Sequence, residues 1–470
     1  MRNKMVQNKP DLRNDKVLPL LFKLSLPIIM AQLVNLLYNV VDRIYIGRMA
    51  NGEIAMAGVG VALPIIIIVA AFSGLIGMGG APLVAIKMGE GDNDGAEKIL
   101  SNSFVTLIII SVILTSAIIL FKSKIVWLFG ASTTTVGYTL DYLTIYMLGT
   151  ISVQIALGMN PFINTQGFTK IGMKTVMIGA VANIILDPIF IFGLNMGVKG
   201  AALATVIAQT LSAIWVLKFL ISGESKLKIR KAYLIPEFKI MKSVIALGIS
   251  PFVMQSTESL VLISLNNMLM LHGGDLAVSA MTIMSSIMQM ILLPVVGLSN
   301  GAQPIISYNF GARQFDRVQA AFKILVKSAL CYTVVIYTLL MTLPHVFVLI
   351  FNNDPALLKI ATWSIRIYFA GIFALGVQIS CQMTFIALGK ARISILLALL
   401  RKVILLIPLI FILPHFCENK PFGVLLAAPI ADITASITTG ICFAVFYKKK
   451  LSLTKEIKPE AGLTLTHSGN

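Results

Sequence analysis

Charged residues are scarce in this 470-residue chain. Only 12% of its residues are Asp, Glu, Lys or Arg, whereas 57% are hydrophobic. Soluble domains carry roughly 25% charged residues, so this shortage argues against a water-solvated enzyme of several domains. A bilayer core about 30 Å thick needs roughly 20 apolar residues per helical span, and the chain supplies such stretches repeatedly. The segment from Ile54 to Ile86, for example, contains no ionisable residue. The composition therefore predicts an integral membrane protein.

Cysteine and histidine are also rare, with four residues of each. All the cysteines except Cys417 lie in hydrophobic runs, so neither a disulfide framework nor a CxxC-type metal site is indicated. The histidines show no HExxH or other metal-ligand spacing, and the sequence has no GxxxxGK[ST] phosphate loop. We therefore expect no transition metal, no other cofactor and no direct use of ATP.

Charge clusters and Gly or Pro breaks divide the apolar sequence into segments of spanning length. The run that begins at Val17 is long and lacks a small-residue cleavage site, which favours a retained first helix over a signal peptide. We predict an all-α membrane protein with twelve transmembrane helices, at residues 17–42, 54–86, 98–121, 137–165, 171–193, 200–220, 243–270, 276–308, 318–343, 355–388, 392–414 and 421–446.

Positive charge is distributed unevenly between the connections. The net charge is +18, and with both termini placed inside, most loop cations fall on the inner side. This imbalance is what the positive-inside rule predicts for an even number of spans, so we expect both termini on the cytoplasmic side. Because the cations are spread over short loops, nucleic-acid binding is disfavoured. The outer connections hold only Arg43, Arg48, Lys122, Lys124, Lys199 and Lys420.

The chain repeats itself in order. Pro27 in SLPIIM matches Pro251 in ISPFVM, GGAPLVAIKMG matches GAQPIISYNFG, and PFINTQG matches TFIALG. Three matches at nearly constant spacing indicate duplication of a six-helix unit, with the two copies related by a pseudo-two-fold axis along the membrane normal. The predicted organisation is an N-terminal tail at 1–16, an N-lobe at 17–221, a cytoplasmic, interface-lying linker at 222–238, a C-lobe at 239–446 and a C-terminal tail at 447–470.

Polar side chains collect on two of the predicted spans. Asn183 and Asp187 lie one turn apart in the fifth span. At about 1.5 Å per residue, they and Thr205 of the sixth span fall near the level of Asp42, in the outer half of the first lobe. Two carboxylates, an amide oxygen and a hydroxyl suit Na⁺, and two close carboxylates can equally share a proton. A structural hydrogen-bond network is the alternative. One face of the first span carries Gln32, Asn35, Asn39 and Asp42.

The sequence resembles the multidrug and toxic compound extrusion (MATE) family, within it the MepA-like branch of bacterial drug exporters. The resemblance covers nearly the whole chain and rests on LSLPIIMAQL, VDRIYIGRM, NIILDPIFIFGLNMGVKGAALATVIAQ and GAQPIISYNFGA. It implies two six-helix lobes in a V shape, alternating access, and export of cationic, lipophilic compounds in exchange for Na⁺ or H⁺. The family's cation site carries over onto Asp42, Asn183, Asp187 and Thr205, and its helix-bending proline onto Pro27.

The resemblance is less complete in the second lobe. Glu258 stands where some members keep a coupling acid, but the acid that those members carry in helix 10 is absent, since this chain has Gln378 and Gln382 there. Glu258 is therefore either a counter-charge for a cationic substrate or a structural acid. A methionine face on helix 8 suits a pocket for differently shaped drugs, although methionine more often fills gaps in a core. The substrate-binding candidates are Gln32, Asn35, Asn39, Gln255, Glu258, Met281, Met284, Met288, Gln378 and Gln382.

Three further cations lie inside predicted spans. Arg401 and Asp432 share a depth of roughly 15 Å, which predicts a structural ion pair. Arg366 in helix 10 would repel cationic substrates if it faced the cavity. A cavity lined by Arg366, Arg401 and Lys402 would instead indicate a flippase for lipid-linked sugars. A membrane-embedded enzyme would need a catalytic cluster that the sequence does not show. We expect a monomeric drug/cation antiporter surrounded by lipid, without an obligatory protein partner.

Overall fold

The computed structural model describes residues 10–49, 51–351 and 354–452. Within these ranges it is built from helices, and nine of them are long and apolar enough to cross a membrane. Two further spans are pairs of helices bent by 60° and 48°. The longest helix, Phe238–Gly311, is broken at Gly274, whose backbone has φ 67° and ψ −166°. Glycine tolerates this conformation because it has no side chain. Counting the two parts separately gives twelve spans, which confirms the predicted fold class.

The first six spans form the first bundle. They extend past the predicted hydrophobic segments, because polar turns at the membrane ends continue the helices. The third, for example, begins after Asp92, whose side chain caps it by accepting a 2.8 Å hydrogen bond from Gly95 N. The spans are α1 Val17–Gly47, α2 Gly52–Glu90, α3 Asn93–Leu128, α4 Val136–Leu148 with Thr150–Thr165, α5 Thr169–Pro188 with the π-helical turn Ile189–Gly193, and α6 Val198–Ile221.

The remaining six spans form the second bundle. Short helices at Lys231–Tyr233, Pro344–Leu349 and Leu413–His415 lie in connections or at span ends. A π-helical turn, Tyr447–Ser452, opens the predicted C-terminal tail, and the rest of that tail lies outside the described residues. The spans are α7 238–273, α8 275–311, α9 Phe315–Thr342, α10 Pro355–Tyr368 with Ile372–Ala387, α11 Ala391–Leu399 with Leu400–Leu406 and Ile407–Ile412, and α12 Lys420–Phe446.

The first turns of α1 and α7 pack in the opposite bundle. Leu20, Leu21 and Leu24 of α1 lie in an apolar core with residues of α8, α9 and α10. Val244 of α7 lies in a core formed by α2, α3, α4 and α6. Farther along, both helices join the cores of their own bundles. The two helices therefore cross between the bundles, and the change of partners falls around the repeated prolines.

Two segments fasten these crossing turns. We call residues 10–16 the N-terminal strap and residues 222–237 the interbundle strap. The carbonyl of Leu12 accepts hydrogen bonds from Asn309 Nδ2 at 2.9 Å and Arg317 Nη2 at 3.2 Å, which hold the N-terminal strap to the second bundle. Arg230 Nε donates to Glu97 Oε2 at 2.7 Å, which holds the interbundle strap to α3 of the first bundle. We call the end of the molecule that carries both straps the strap face.

The bundles meet closely near the strap face. A Cβ atom at Gly89 of α2 would overlap the carbonyl oxygen of Tyr308 in α8, and one at Gly311 of α8 would overlap the carbonyl oxygen of Ile86 in α2. Gly89 and Gly311 are matched positions of the internal repeat, as are Ile86 and Tyr308. The two contacts are therefore symmetric copies of each other, as the predicted pseudo-two-fold axis requires, and both depend on the missing side chain of a glycine.

Candidate functional site: a buried acid cluster beside two cavities

Two adjoining cavities lie inside the molecule. The first, of about 220 Å³, is enclosed mainly by α1, α4, α5 and α6. The second, of about 240 Å³, lies between the bundles and is lined by residues of α2, α4, α7 and α8. Both are lined by Leu157, Pro161, Asn164 and Asn300, so they are neighbours. Among the described lining residues of either cavity there is no Asp, Glu, Lys, Arg or His. We call them the first-bundle cavity and the central cavity.

The structure brings the four predicted cation-site residues together beside the first-bundle cavity. Asn183 Nδ2 donates to Asp187 Oδ1 at 3.2 Å and lies 3.4 Å from Thr205 Oγ1. The carboxyl groups of Asp42, on α1, and Asp187, on α5, lie close to each other. Asp187 is fully buried and Asn183 is 2% exposed. We call these four residues the acid cluster.

Several oxygen atoms of the acid cluster have no partner. Within the described part of the chain, no hydrogen bond reaches Asp42 Oδ1, Asn183 Oδ1 or Asp187 Oδ2. In a hydrogen-bond network that serves only structure, the buried polar atoms normally all have hydrogen-bond partners. Carboxylate and amide oxygens that remain free in a buried site are suitable ligands for Na⁺, and a carboxyl pair can hold a proton.

Two tyrosines adjoin the acid cluster and were missed by the sequence analysis. Tyr38 lies one turn before Asp42 on α1 and lines the first-bundle cavity. Tyr142 of α4 is 4% exposed and lies close to Thr205. The spacing of Tyr38 and Asp42 was a usable signal, because residues four apart share a helix face. No local pattern could place Tyr142, which depends on how α4 packs.

The polar residues predicted on α1 and α7 are divided between the two cavities and the surface. Gln32 and Asn35 line the first-bundle cavity, and Gln255 lines the central cavity. Asn39 is exposed and donates to the carbonyl oxygen of Asn35 at 2.7 Å. Asn39 therefore does not line either described cavity, although it lies on the same helix as the two residues that do.

The MatE family model matches residues 27–189 and 251–412, one segment in each bundle. The chain belongs to the MATE family. A similar curated relative is the multidrug export protein MepA of Staphylococcus haemolyticus, 27% identical over 399 residues that cover 85% of this chain and 86% of the relative. MepA of Staphylococcus aureus is 25% identical over the same shares of both chains. These matches confirm the resemblance to MepA-like MATE transporters.

The fold of this MATE family member is also shared with solved structures. An outward-facing multidrug resistance MATE transporter of the MOP superfamily matches with a TM-score of 0.87 at 21% identity, covering 95% of this chain and 98% of the other. At this identity the likeness shows the fold. Multiple apolar helices and membership of a transporter family together identify a multi-pass membrane protein.

The predicted methionine face of α8 lies away from both cavities. Met281 is 1% exposed and Met284 is fully buried, both in the apolar core of the second bundle, and Met288 packs against that core. None of the three lines either described cavity. The physical reason is that α8 turns this face towards α7, α10 and α12, so here the methionines fill a core.

The glutamines predicted in α10 are buried and bonded to each other. Gln378 Nε2 donates to Gln382 Oε1 at 3.0 Å, and Gln382 Nε2 lies 3.2 Å from the sulfur of Met254. Neither lines a described cavity. Gln378 Oε1 has no partner among the described residues. The pair therefore links α10 to α7 in this conformation.

The acids and bases inside the second bundle form ion pairs. Arg401 Nε lies 2.8 Å from Asp432 Oδ1, as their depth along α11 and α12 predicted. Glu258 of α7 forms an ion pair with Lys402, so its charge is compensated within the protein. Arg366 is exposed near the bend of α10 and lines neither described cavity. No group of three or more His, Cys, Asp and Glu side chains suited to a metal ion occurs among the described residues.

Proposed function

We propose that this MATE family member is a secondary active exporter and not an enzyme. It moves cationic, lipophilic compounds out of the cell in exchange for Na⁺ or H⁺, across the bacterial cytoplasmic membrane. The observation that supports this proposal is the acid cluster, where two carboxyl groups lie close together beside a cavity whose described lining carries no charged residue. Ionisable groups inside a bilayer are costly and usually mark an ion or substrate path.

The acid cluster and the first-bundle cavity share residues. Asn183 and Thr205 belong to the cluster and also line the cavity, and Tyr38 of the lining stands one turn from Asp42. A cation or proton bound at the cluster changes the charge felt by a cationic compound in the cavity. Coupling then requires that ion and compound differ in affinity between the two states of the transporter.

The contacts near the strap face support an outward-facing state. The bundles touch where Gly89 and Gly311 let backbones approach, so a path through the molecule is closed at that end. With the termini inside, as the charge distribution predicts, the closed end is the cytoplasmic one. α1 runs through Pro27 as one continuous helix in this state. We propose that ion binding bends α1 at Pro27, where the missing N–H weakens the helix.

Export of cations is favoured over flipping of lipid-linked sugars. A flippase for an anionic phosphate needs cations that face its cavity. Here Arg401 and Lys402 are paired with Asp432 and Glu258, and neither of the two described cavities includes them. The uncharged lining, with acids beside it, suits a cationic compound better.

Removal of one carboxylate tests the proposal. Asp187→Asn and Asp42→Asn, reconstituted in proteoliposomes, are expected to lower drug-stimulated Na⁺ or H⁺ movement at least about tenfold, because the coupling ion loses a ligand. Asp141→Asn is the matched control. Asp141 also lies in the first bundle, but it is 47% exposed and pairs with Lys199 at 3.5 Å. Full exchange in both cluster variants, with normal expression, would contradict the assignment.

A further inference from the structure

The π-helical turn Leu400–Leu406 of α11 carries two cations into the second bundle. The side chains of Arg401 and Lys402 are 14% and 9% exposed, and each has an acidic partner. Lys402 Nζ also donates to the carbonyl oxygen of Met254 at 2.6 Å. π-Helical turns disturb regular helical packing and frequently occur at functional sites. A π-helical turn that carries two nearly buried, paired cations therefore indicates a role beyond the packing of α11.

The internal repeat shows what stands at these positions in the first bundle. Aligning Gly200 with Gly423 sets GAALATVIAQ against GVLLAAPIAD, so that Gln209 corresponds to Asp432. The match of Gly167 with Gly389, continued along α5 and α11, sets two residues of α5 against the two cations. The residues that correspond to Arg401 and Lys402 are Gly179 and Ala180.

Gly179, Ala180 and Gln209 all line the first-bundle cavity. The first bundle thus keeps open space at the position where the second bundle inserts two long cationic side chains. Neither described cavity is lined by Arg401 or Lys402. Arg401 and Lys402 thus stand at the second bundle's counterparts of two positions that line the first-bundle cavity.

The buried side chain of Lys402 contacts the more exposed carboxylate of Glu258. Glu258 lies one helical turn beyond Gln255, which lines the central cavity, and its side chain is 67% exposed. A carboxylate and a main-chain carbonyl oxygen are the kinds of ligand that a hard monovalent cation such as Na⁺ takes. The ammonium group already holds both of these oxygens.

We propose that the Lys402 ammonium is a tethered cation that permanently fills a second site for a small monovalent cation, formed by the Glu258 carboxylate and the Met254 carbonyl oxygen. Exchangeable cations are thereby confined to the acid cluster. The confinement of exchangeable cations to the acid cluster rests on the proposed function, whereas the filling of the second site by Lys402 does not. A further oxygen without a partner among the described residues is near this site. It is the buried Gln378 Oε1, one helical turn from Gln382, which contacts Met254.

Binding of ²²Na⁺ to the full chain in nanodiscs tests the proposal. The measurements use an Asp42→Asn, Asp187→Asn background, in which the acid cluster is silent, so the outcome does not depend on whether the proposed exchange mechanism is correct. Adding Lys402→Met is expected to create saturable binding of about one Na⁺ per chain, because the two oxygens lose their internal cation. Adding Glu258→Gln as well is expected to abolish it.

Two further variants keep the result interpretable. Lys402→Arg retains a positive charge and is expected to create no site. Lys402→Gln removes the charge but keeps a polar side chain of similar length, and is expected to gain Na⁺ binding even if Lys402→Met is poorly folded. Ammonium (NH₄⁺), which supplies the missing group without the alkyl stem whose space Met and Gln still fill, is expected to compete with Na⁺ in either variant. Absence of saturable Na⁺ binding in a folded neutral variant, or binding that survives Glu258→Gln, would overturn the proposal.

Discussion

Asp42 and Asp187 differ from Asp432 in what surrounds their carboxyl groups. Asp432 is paired with the guanidinium of Arg401, so its charge is balanced by the protein. Within the described structure, Asp42 Oδ1 and Asp187 Oδ2 receive no hydrogen bond, and the two carboxyl groups lie close to each other. Leaving such oxygens unpaired in a buried site is costly. A bound cation or proton would relieve that cost, which is why we propose that the acid cluster binds the ion and that the Arg401–Asp432 pair is structural.

The hydroxyl of Thr205 provides a residue-scale prediction. Thr205→Val keeps the side chain's shape but removes the oxygen that Asn183 Nδ2 approaches at 3.4 Å. We expect this hydroxyl to contact the bound ion. An interaction between a polar group and a charge contributes about 1.5–3 kcal/mol to binding, so its loss is expected to lower the coupling ion's apparent affinity tenfold or more. Ion titration of dye efflux in proteoliposomes measures this change.

Thr210→Val is the matched control for this prediction. Thr210 lies on the same helix, but its hydroxyl donates to Ser152 at 2.9 Å, away from the acid cluster. Its substitution is expected to leave the apparent ion affinity unchanged. An equal loss in both variants would mean that the hydroxyls act through helix packing and not as ligands.

The common depth of the acid-cluster residues could be predicted because depth depends on helical geometry alone, and the family resemblance indicated that they share a site. A rise of about 1.5 Å per residue fixes the depth of Asp42, Asp187 and Thr205 once the spans are known. Tyr142 could not be placed this way, because its proximity to Thr205 depends on the rotation and bend of α4. The methionine face of α8 was likewise ambiguous, since apolar periodicity does not distinguish a core from a pocket.

At the scale of elements, hydropathy located the spans but could not reveal how their ends are fastened. The interbundle strap buries Leu227 completely and receives side-chain contacts from α3. Its residues look like an ordinary polar linker in the sequence. Their partners, Glu97 and Asn102, are more than a hundred residues away along the chain. Such pairings arise from tertiary packing, which local patterns do not encode.

The glycine contact between α2 and α8 provides an element-scale prediction. Gly311→Ala would place a methyl group against the Ile86 carbonyl and force the helices apart. Overpacking of this kind costs about 1–3 kcal/mol. If the overlap destabilises only the state in which the bundles touch at the strap face, the ratio of closed to open molecules falls about 5–150-fold. We therefore expect a cysteine introduced at Gln303, which lines the central cavity, to react faster with an impermeant thiol reagent added at the strap face.

Gly60→Ala is the control for this substitution. Gly60 also lies in α2, and an added Cβ there meets no atom within 4 Å. Both variants are compared in a background without the four native cysteines. Unchanged labelling in a stable Gly311→Ala protein would show that the contact does not control access at the strap face.

At the scale of the whole molecule, the crossing turns connect the two bundles mechanically. The N-terminal strap and the start of α1 belong to the second bundle, whereas the interbundle strap and the start of α7 belong to the first. A change in the angle between the bundles must therefore be absorbed within α1 and α7. Pro27 and Pro251 stand where each helix changes partners, and a proline removes one helical hydrogen bond. A change in that angle and the proposed ion site, the acid cluster, are thus linked through α1.

Efflux of an ethidium-like dye from vesicles tests this linkage in the intact protein. An inward gradient of the coupling ion, Na⁺ or H⁺ imposed singly, is expected to drive dye export, since binding at the acid cluster changes the state that holds the dye. Asp187→Asn is expected to abolish the response to whichever ion couples, while Asp141→Asn retains it. Collapsing the gradient with an ionophore is expected to stop export in the unsubstituted chain. Export that requires ATP and ignores both gradients would exclude the acid cluster as the coupling site, because no ion would then need to bind there.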